Sequence, residues 1–487
     1  MNGIRIGLLV CAMPFLIGGG CEPAEVSLLS DRRQIVAQDG LELVARFVHL
    51  TDTHIVDEES PARFTGAHSL VSSAWREWES YSTQLLDGTI RAANRIHASG
   101  RTIDFLIHTG DACDNVQQNE LEWFMTVMEG GLVNPASGPD DRPIESRPEP
   151  WLDPHAPFAA QGLYQHSVHG ELPSIPWYAL LGNHDVYALG VFPISMLFDE
   201  RVAVLPLQPR LGVFLPSVLN PTGSFTHGRI TPANPGPPEL FSWPVPVVPS
   251  AERAYFSNEE FIARLQLGRT SPTGHGFAAG GPPWYSVSPV PGLRLIGLFT
   301  SDRPNVHMTA ISHDGCISAE QLDWFIAELE AASSRGETII VASHHPSGTL
   351  EPLYGTAIDA DGFRELLNAY PAVVLHLAGH LHRNRVTNRG GYLEIETCST
   401  LDWPLEARLV EIWRNVEIGA IVIGYEMFSH LADDLPPLGD DPLAELRLRA
   451  HELAGVGRVQ PSARMIDDFL ENTGTEADRS GLVPIQP

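Results

Sequence analysis

No lysine occurs anywhere in this 487-residue chain, so apart from histidine its basic side chains are 31 arginines. Set against 60 acidic residues, they leave a formal charge of −29. A surface this acidic repels polyanions, which argues against DNA, RNA or an anionic membrane face as partners. A small phosphate ester is not excluded, because bound divalent cations outweigh locally the carboxylates that hold them. Cysteine is scarce as well. Of the five, Cys11 and Cys21 lie near the N-terminus, and Cys113, Cys316 and Cys398 could form at most one disulfide. A small disulfide-stapled scaffold is thereby excluded. The apolar stretch at residues 6–17 is too short for a comfortable transmembrane helix and suits the apolar segment of a signal peptide.

Small residues, Gly18, Gly19 and Gly20, stand directly before Cys21. The pattern resembles a bacterial lipoprotein signal. Residues 1–20 are then expected to be removed and Cys21 to carry a lipid as the first mature residue, with ordinary secretion as the alternative. Either way the expectation is export, to the periplasm or the cell surface, with residues 21–44 as tether and lead-in. Hydrophobic content of 43% and charged content of 19% are those of a globular protein able to bury a sizeable core.

Residues 46–50, 104–109 and 292–298 read as buried strands, and 392–397 and 407–413 as later ones. Apolar residues at helical spacing predict helices over 75–99, 119–129 and 318–333, the last capped by Ser318 with Gln321 three residues on. The order strand, helix, strand over 46–109 is a βαβ unit. Two stretches read as surface insertions, 135–176 and 186–292. The second carries seventeen prolines and one helical piece at 258–267, and an irregular loop of such length is usually a lid or a binding wall. Beyond residue 431 the chain is expected to form an acidic, partly helical C-terminal tail, with helices at 442–454 and 463–471.

Five short blocks place Asp, Asn or His just where an apolar run ends. They are Asp52-Thr53-His54, Gly110-Asp111-Ala112-Cys113-Asp114, Gly182-Asn183-His184-Asp185, His344-His345-Pro346 and Gly379-His380-Leu381-His382. Ligands gather beyond the carboxyl ends of strands in open α/β sheets, so five such loops can converge on one site. Oxygen and imidazole donors without thiolate suit Zn, Mn or Fe. The order DxH, GDxxD, GNHD, HxP, GHxH resembles the calcineurin-like metallophosphoesterase superfamily, over roughly residues 45–425.

That resemblance implies an α/β fold of two mixed β-sheets packed as a sandwich and flanked by helices. It implies two divalent metal ions, one held by Asp52, His54 and His382, the other by Asn183, His344 and His380, with Asp111 bridging. A hydroxide between the ions would attack phosphorus in line. His184 would protonate the leaving alkoxide as an imidazolium, and Asp185 would hold its ring in the right tautomer. Asp114 is expected to fix a ligand imidazole or its own loop, and His345 to face substrate or simply pack. Where purple acid phosphatases carry an iron-binding Tyr this chain has Asp114, which argues against a purple enzyme.

The reaction implied is hydrolysis of a phosphate mono- or diester. Cyclic-nucleotide phosphodiesterase activity uses the same ligands and stays open. So does a surface-anchored binding protein with a structural metal site, though such a staple has no use for His184. Oligomeric state is not legible. His49, His108 and His376 lie inside strands and are expected to be satisfied core histidines. Of the loop histidines, His275 is the best candidate to line a pocket.

Overall fold

The structure is a computed structural model. It describes residues 40–60, 76–137, 154–191, 249–302, 313–351, 355–431, 442–457 and 471–485, apart from 58 and 77, with short pieces between 192 and 248. The expected signal peptide with Cys21, most of the second insertion from 192 to 248, and most of the expected helix at 463–471 lie outside the described residues.

Twelve strands build two large sheets. In chain order they are β1 (Leu41–Leu50), β2 (Phe105–His108), β3 (Trp177–Ala179), β4 (Tyr285–Val287), β5 (Leu293–Gly297), β6 (Thr338–Ala342), β7 (Val373–Ala378), β8 (Arg385–Asn388), β9 (Leu393–Glu396), β10 (Glu406–Asn415), β11 (Ile421–Ser429) and β12 (Ser480–Ile485). One sheet runs β12-β11-β10-β1-β2-β3 and the other β4-β5-β6-β7-β9-β8. Both are mixed. β1, β2 and β3 are parallel neighbours while β10, β11 and β12 add on antiparallel. In the second sheet β5, β6, β7 and β9 are parallel, with antiparallel edges at β4 and β8.

The alternation of side chains along β6 shows how the layers stack. Ile340 and Ala342 join one apolar core with Phe47 and Leu106 of the first sheet, whereas Ile339 and Val341 face helices through Phe325, Leu329 and Phe363. A strand buried on both faces has to be apolar throughout, which is why Thr338-Ile339-Ile340-Val341-Ala342 carries no charge. The sheets therefore pack face to face as a sandwich with helices outside. These helices are α1 (Ser82–Ala98), α2 (Gln118–Glu129), α3 (Asn258–Gln266), α4 (Ala319–Ser334), α5 (Ala360–Asn368) and α6 (Pro442–Gly457). Ser318 does cap α4, its side chain accepting from the Gln321 amide.

The C-terminal segment is not a separate tail. Ser480–Ile485 pairs along β11 as an edge strand, and α6 packs Leu446, Ala450 and Ala454 against Trp78, Tyr81, Leu85 and Leu401. The boundary drawn at residue 425 falls inside β11, and the strand would lose its partner if the chain ended there.

Loops from both sheets meet at one end of the sandwich. β1, β2 and β3 from one sheet and β6 and β7 from the other all point their carboxyl ends there. Backbone bonds lace the first two loops together, from Asp52 N to Gly110 O and from His54 N to Asp111 O, both 3.0 Å. The motif glycines permit close approach. A Cβ on Gly182 would collide with the Asp111 carboxylate, and one on Gly379 with Thr51 and Asp52.

Candidate metal centre

The five loops bring the seven expected ligands into one buried cluster. Asp52, His54, Asp111, Asn183 and His344 are nearly inaccessible to solvent, while His380 and His382 are partly exposed and open the cluster to the surface. Ligand atoms of Asp52, His54 and His382 lie within 4.8 Å of one another, and so do those of Asp52, Asp111 and His344. Nε2 of His382 is 3.2 Å from Asp52 Oδ1, and Nε2 of His344 is 3.2 Å from Asp111 Oδ2. Asn183 Oδ1 stands 2.8 Å from His344 Nε2 and 3.1 Å from His380 Nδ1. The amide of Asn183 is fixed this way round because its Nδ2 donates to Gly190 O at 3.0 Å.

What faces the centre of this cluster is nearly all acceptor. His54 donates from Nδ1 to Asp114 (2.8 Å) and His382 from Nδ1 to Asp402 (2.7 Å), so in neutral rings both Nε2 atoms carry lone pairs. Those two nitrogens are 3.0 Å apart. His344 donates from Nδ1 to Thr109 O (2.9 Å), leaving its Nε2 lone pair against the Asn183 carbonyl oxygen. Acceptors aimed at each other at such distances repel unless positive charge lies among them. Without a metal, protons fill that need. Burial alone would push His344 and His382 down, but Asp111 and Asp52 raise them to about 9 and about 10. The donor set fits divalent cations of the Zn, Mn or Fe kind.

The backbone carries a second mark of the site. Nine described residues other than glycine have positive φ, and five of them are Asp52, His54, Asp111, His380 and His382. Left-handed backbone at non-glycine residues is unfavourable and persists where the surroundings over-determine it, typically at ligand clamps.

The remaining candidates sit as follows. Asp114 accepts from His54 and from Arg76. His345 engages both ring nitrogens, with Thr300 Oγ1 and with the His313 carbonyl, each at 2.8 Å. It packs against His344 and His380 rather than facing open space. His184 lies edge-on to His54, ring centroids 4.6 Å apart.

Two expectations for His184 need correction. Asp185 does not orient it: its carboxylate accepts from the amides of Ala112, Cys113 and Gly182 at 2.9–3.2 Å and so ties the second and third loops together. The ring is held instead by the Asp114 carbonyl, 2.9 Å from Nδ1. Nor is it an imidazolium at rest, because burial pushes His184 down to about 4. His275 is no pocket residue either: it is fully buried and stacks on Trp177 at 3.6 Å.

Sequence reading overlooked Arg76, gave Asp402 no role of its own, and left His313 among loop histidines that could line a pocket. Asp402 stands in the Leu401-Asp402-Trp403-Pro404 block, whose single carboxylate beside a Trp-Pro pair was the available signal. Nothing in the sequence around Arg76 marks it. His313, largely exposed, reaches His380 with Nδ1 3.3 Å from Nε2.

The family model for calcineurin-like phosphoesterases matches residues 45–384, spanning all five blocks. The chain belongs to the calcineurin-like phosphoesterase family. It is thus a metallophosphoesterase by family, and its two-sheet fold is the one such membership implies. Sphingomyelin phosphodiesterases of Homo sapiens and Bos taurus are each 40% identical to it over 67 residues, 13% of this chain. The chain thereby spans about a tenth of the length of the curated relatives it matches. A dimetal phosphatase from Danio rerio, a solved structure, is similar over 80% of this chain and 98% of its own, at 13% identity and a TM-score of 0.41.

Proposed function

We propose that this calcineurin-like phosphoesterase hydrolyses phosphate esters with two divalent ions. One rests on Asp52, His54 and His382, the other on Asn183, His344 and His380, and Asp111 lies between them. The observation that carries this reading is the convergence of acceptors, above all the 3.0 Å approach of two imidazole nitrogens whose other nitrogens already donate. When bound, the ions would supply an activated water and offset the charge of the phosphoryl oxygens. His184 keeps its Nδ1 on the Asp114 carbonyl, so Nε2 is the atom that would hold or pass a proton. A substrate's negative charge beside that ring would raise its proton affinity, making it a donor to the leaving oxygen only once substrate is in place.

A diester is the first substrate class to test. The motivation is the local similarity to relatives named as phosphodiesterases of sphingomyelin. Phosphomonoesters, linear phosphodiesters including sphingomyelin, and cyclic nucleotides should be assayed with added Mn²⁺, Zn²⁺ or Fe²⁺. We expect metal-dependent turnover of at least one class, most strongly of a diester. No hydrolysis of any class by metal-loaded protein would leave the alternative of a binding protein with a metal staple.

We also propose export with a lipid at Cys21, on the strength of the apolar segment and the three glycines before it. Wild type should partition into detergent and Cys21→Ser should not. An unmodified mature N-terminus at another residue would support plain secretion instead.

A further inference from the structure

Two of the ligand imidazoles are steered by carboxylates that share one guanidinium. Asp114 Oδ1 accepts from His54, and Asp402 Oδ2 from His382. Between these carboxylates lies Arg76, with Nη1 3.2 Å from Asp114 Oδ1 and Nε 2.8 Å from Asp402 Oδ1. Its side chain is 3% exposed. The segment that carries it is fastened at two points. The Arg76 amide donates to Glu79 Oε2 at 2.8 Å, and Trp78 Nε1 donates to Leu401 O at 2.7 Å, beside Asp402.

We propose that Arg76 is a positioning residue for one of the two metal ions. It holds Asp114 and Asp402 at a fixed separation and angle. Through them it turns His54 and His382 so that both Nε2 atoms converge beside Asp52. The planar, permanently charged fork can address two carboxylates at once, which the single ammonium of a lysine cannot do with the same geometry. His344, at the other ion, takes its orientation from the Thr109 carbonyl and does not depend on Arg76. The inference rests on the two-metal reading and adds an asymmetry to it: one ion's ligands are charge-braced, the other's are held by backbone and amide. Groups that orient ligand imidazoles typically alter metal affinity 10–100-fold when lost, roughly the size expected here.

The test is Mn²⁺ titration of the full chain by calorimetry, read as two binding steps rather than as activity. Arg76→Gln should weaken one step by about 10–100-fold and leave the other within about threefold. His382→Ala should weaken the same step, and the double variant should lose little more than His382→Ala alone, because both act on one ion. Should Arg76→Gln fail to fold, Asp402→Asn takes its place. It keeps an acceptor for the His382 N–H while removing the charge that Arg76 faces, and should weaken that same step less severely. Two unchanged steps in a folded variant, or an equal loss in both, would overturn the assignment of Arg76. Fewer than two Mn²⁺ steps in wild type would instead overturn the two-metal reading on which it rests.

Discussion

Two sets of histidines lie only a few residues apart in this chain and do opposite work. His49, His108 and His376 point from within β1, β2 and β7; His54, His344, His380 and His382 sit just past the ends of such strands. His49 has both nitrogens on hydroxyls, Thr109 at 2.9 Å and Thr397 at 2.8 Å. His376 meets Glu394 at 3.0 Å and Ser343 at 2.8 Å. His108 is bonded to Thr53 at 3.2 Å. A hydroxyl can donate or accept, so each of these rings has one partner that adapts to it, even where, as at His376, the other nitrogen must donate to a carboxylate. The loop rings of His54, His344 and His382 have one nitrogen tied to a fixed acceptor, and the other turned into a cluster of further acceptors. What separates the proposed metal ligands from the core histidines is therefore the second nitrogen's company, not burial. His49, His54 and His344 are all fully buried.

The comparison can be sharpened first at His184, a loop histidine that also has one nitrogen tied but is not counted among the seven ligands. His184→Ala should keep both metals while slowing esters with poor, high-pKa leaving groups by about 10²–10⁴-fold. Aryl esters, whose leaving groups are stable as anions, should suffer far less. Kinetics across leaving groups of graded pKa would show the steeper dependence. Equal losses for all of them would remove the proton-donor role, and loss of a metal would move His184 among the ligands.

A smaller effect is expected from the strand set. His376→Ala leaves Glu394 and Ser343 without their buried partner, so stability should fall by about 1–3 kcal/mol. Metal content should not change. Urea unfolding together with metal analysis checks both, and a metal ion lost from a folded His376→Ala protein would break the distinction between the two sets.

How much of this was legible in the sequence follows from distance along the chain. The five blocks could be read because each proposed ligand directly follows an apolar strand, so local pattern and candidate site coincide. The strands and helices around them were legible for the same reason, as with the helix expected at 119–129 and found at Gln118–Glu129. Arg76 could not be found in this way: its partner Asp402 is 326 residues away, and the bond exists only once both sheets are built. β12 was hidden because Ser480–Ile485 is short and contains Pro484, which an edge strand tolerates and an inner strand does not. The role assigned to Asp185 failed because adjacency to His184 in sequence did not mean contact. The turn after β3 directs the carboxylate back to amides of the neighbouring loop and of its own.

The central claim is that these loops form one centre for two ions, joined through Asp111. Metal analysis of wild type and Asp111→Ala, each reconstituted with excess Mn²⁺ and desalted, tests it most directly. The account predicts two ions per chain in wild type and fewer than two in the variant, with phosphoesterase activity lost alongside. Two ions retained by folded Asp111→Ala would contradict it.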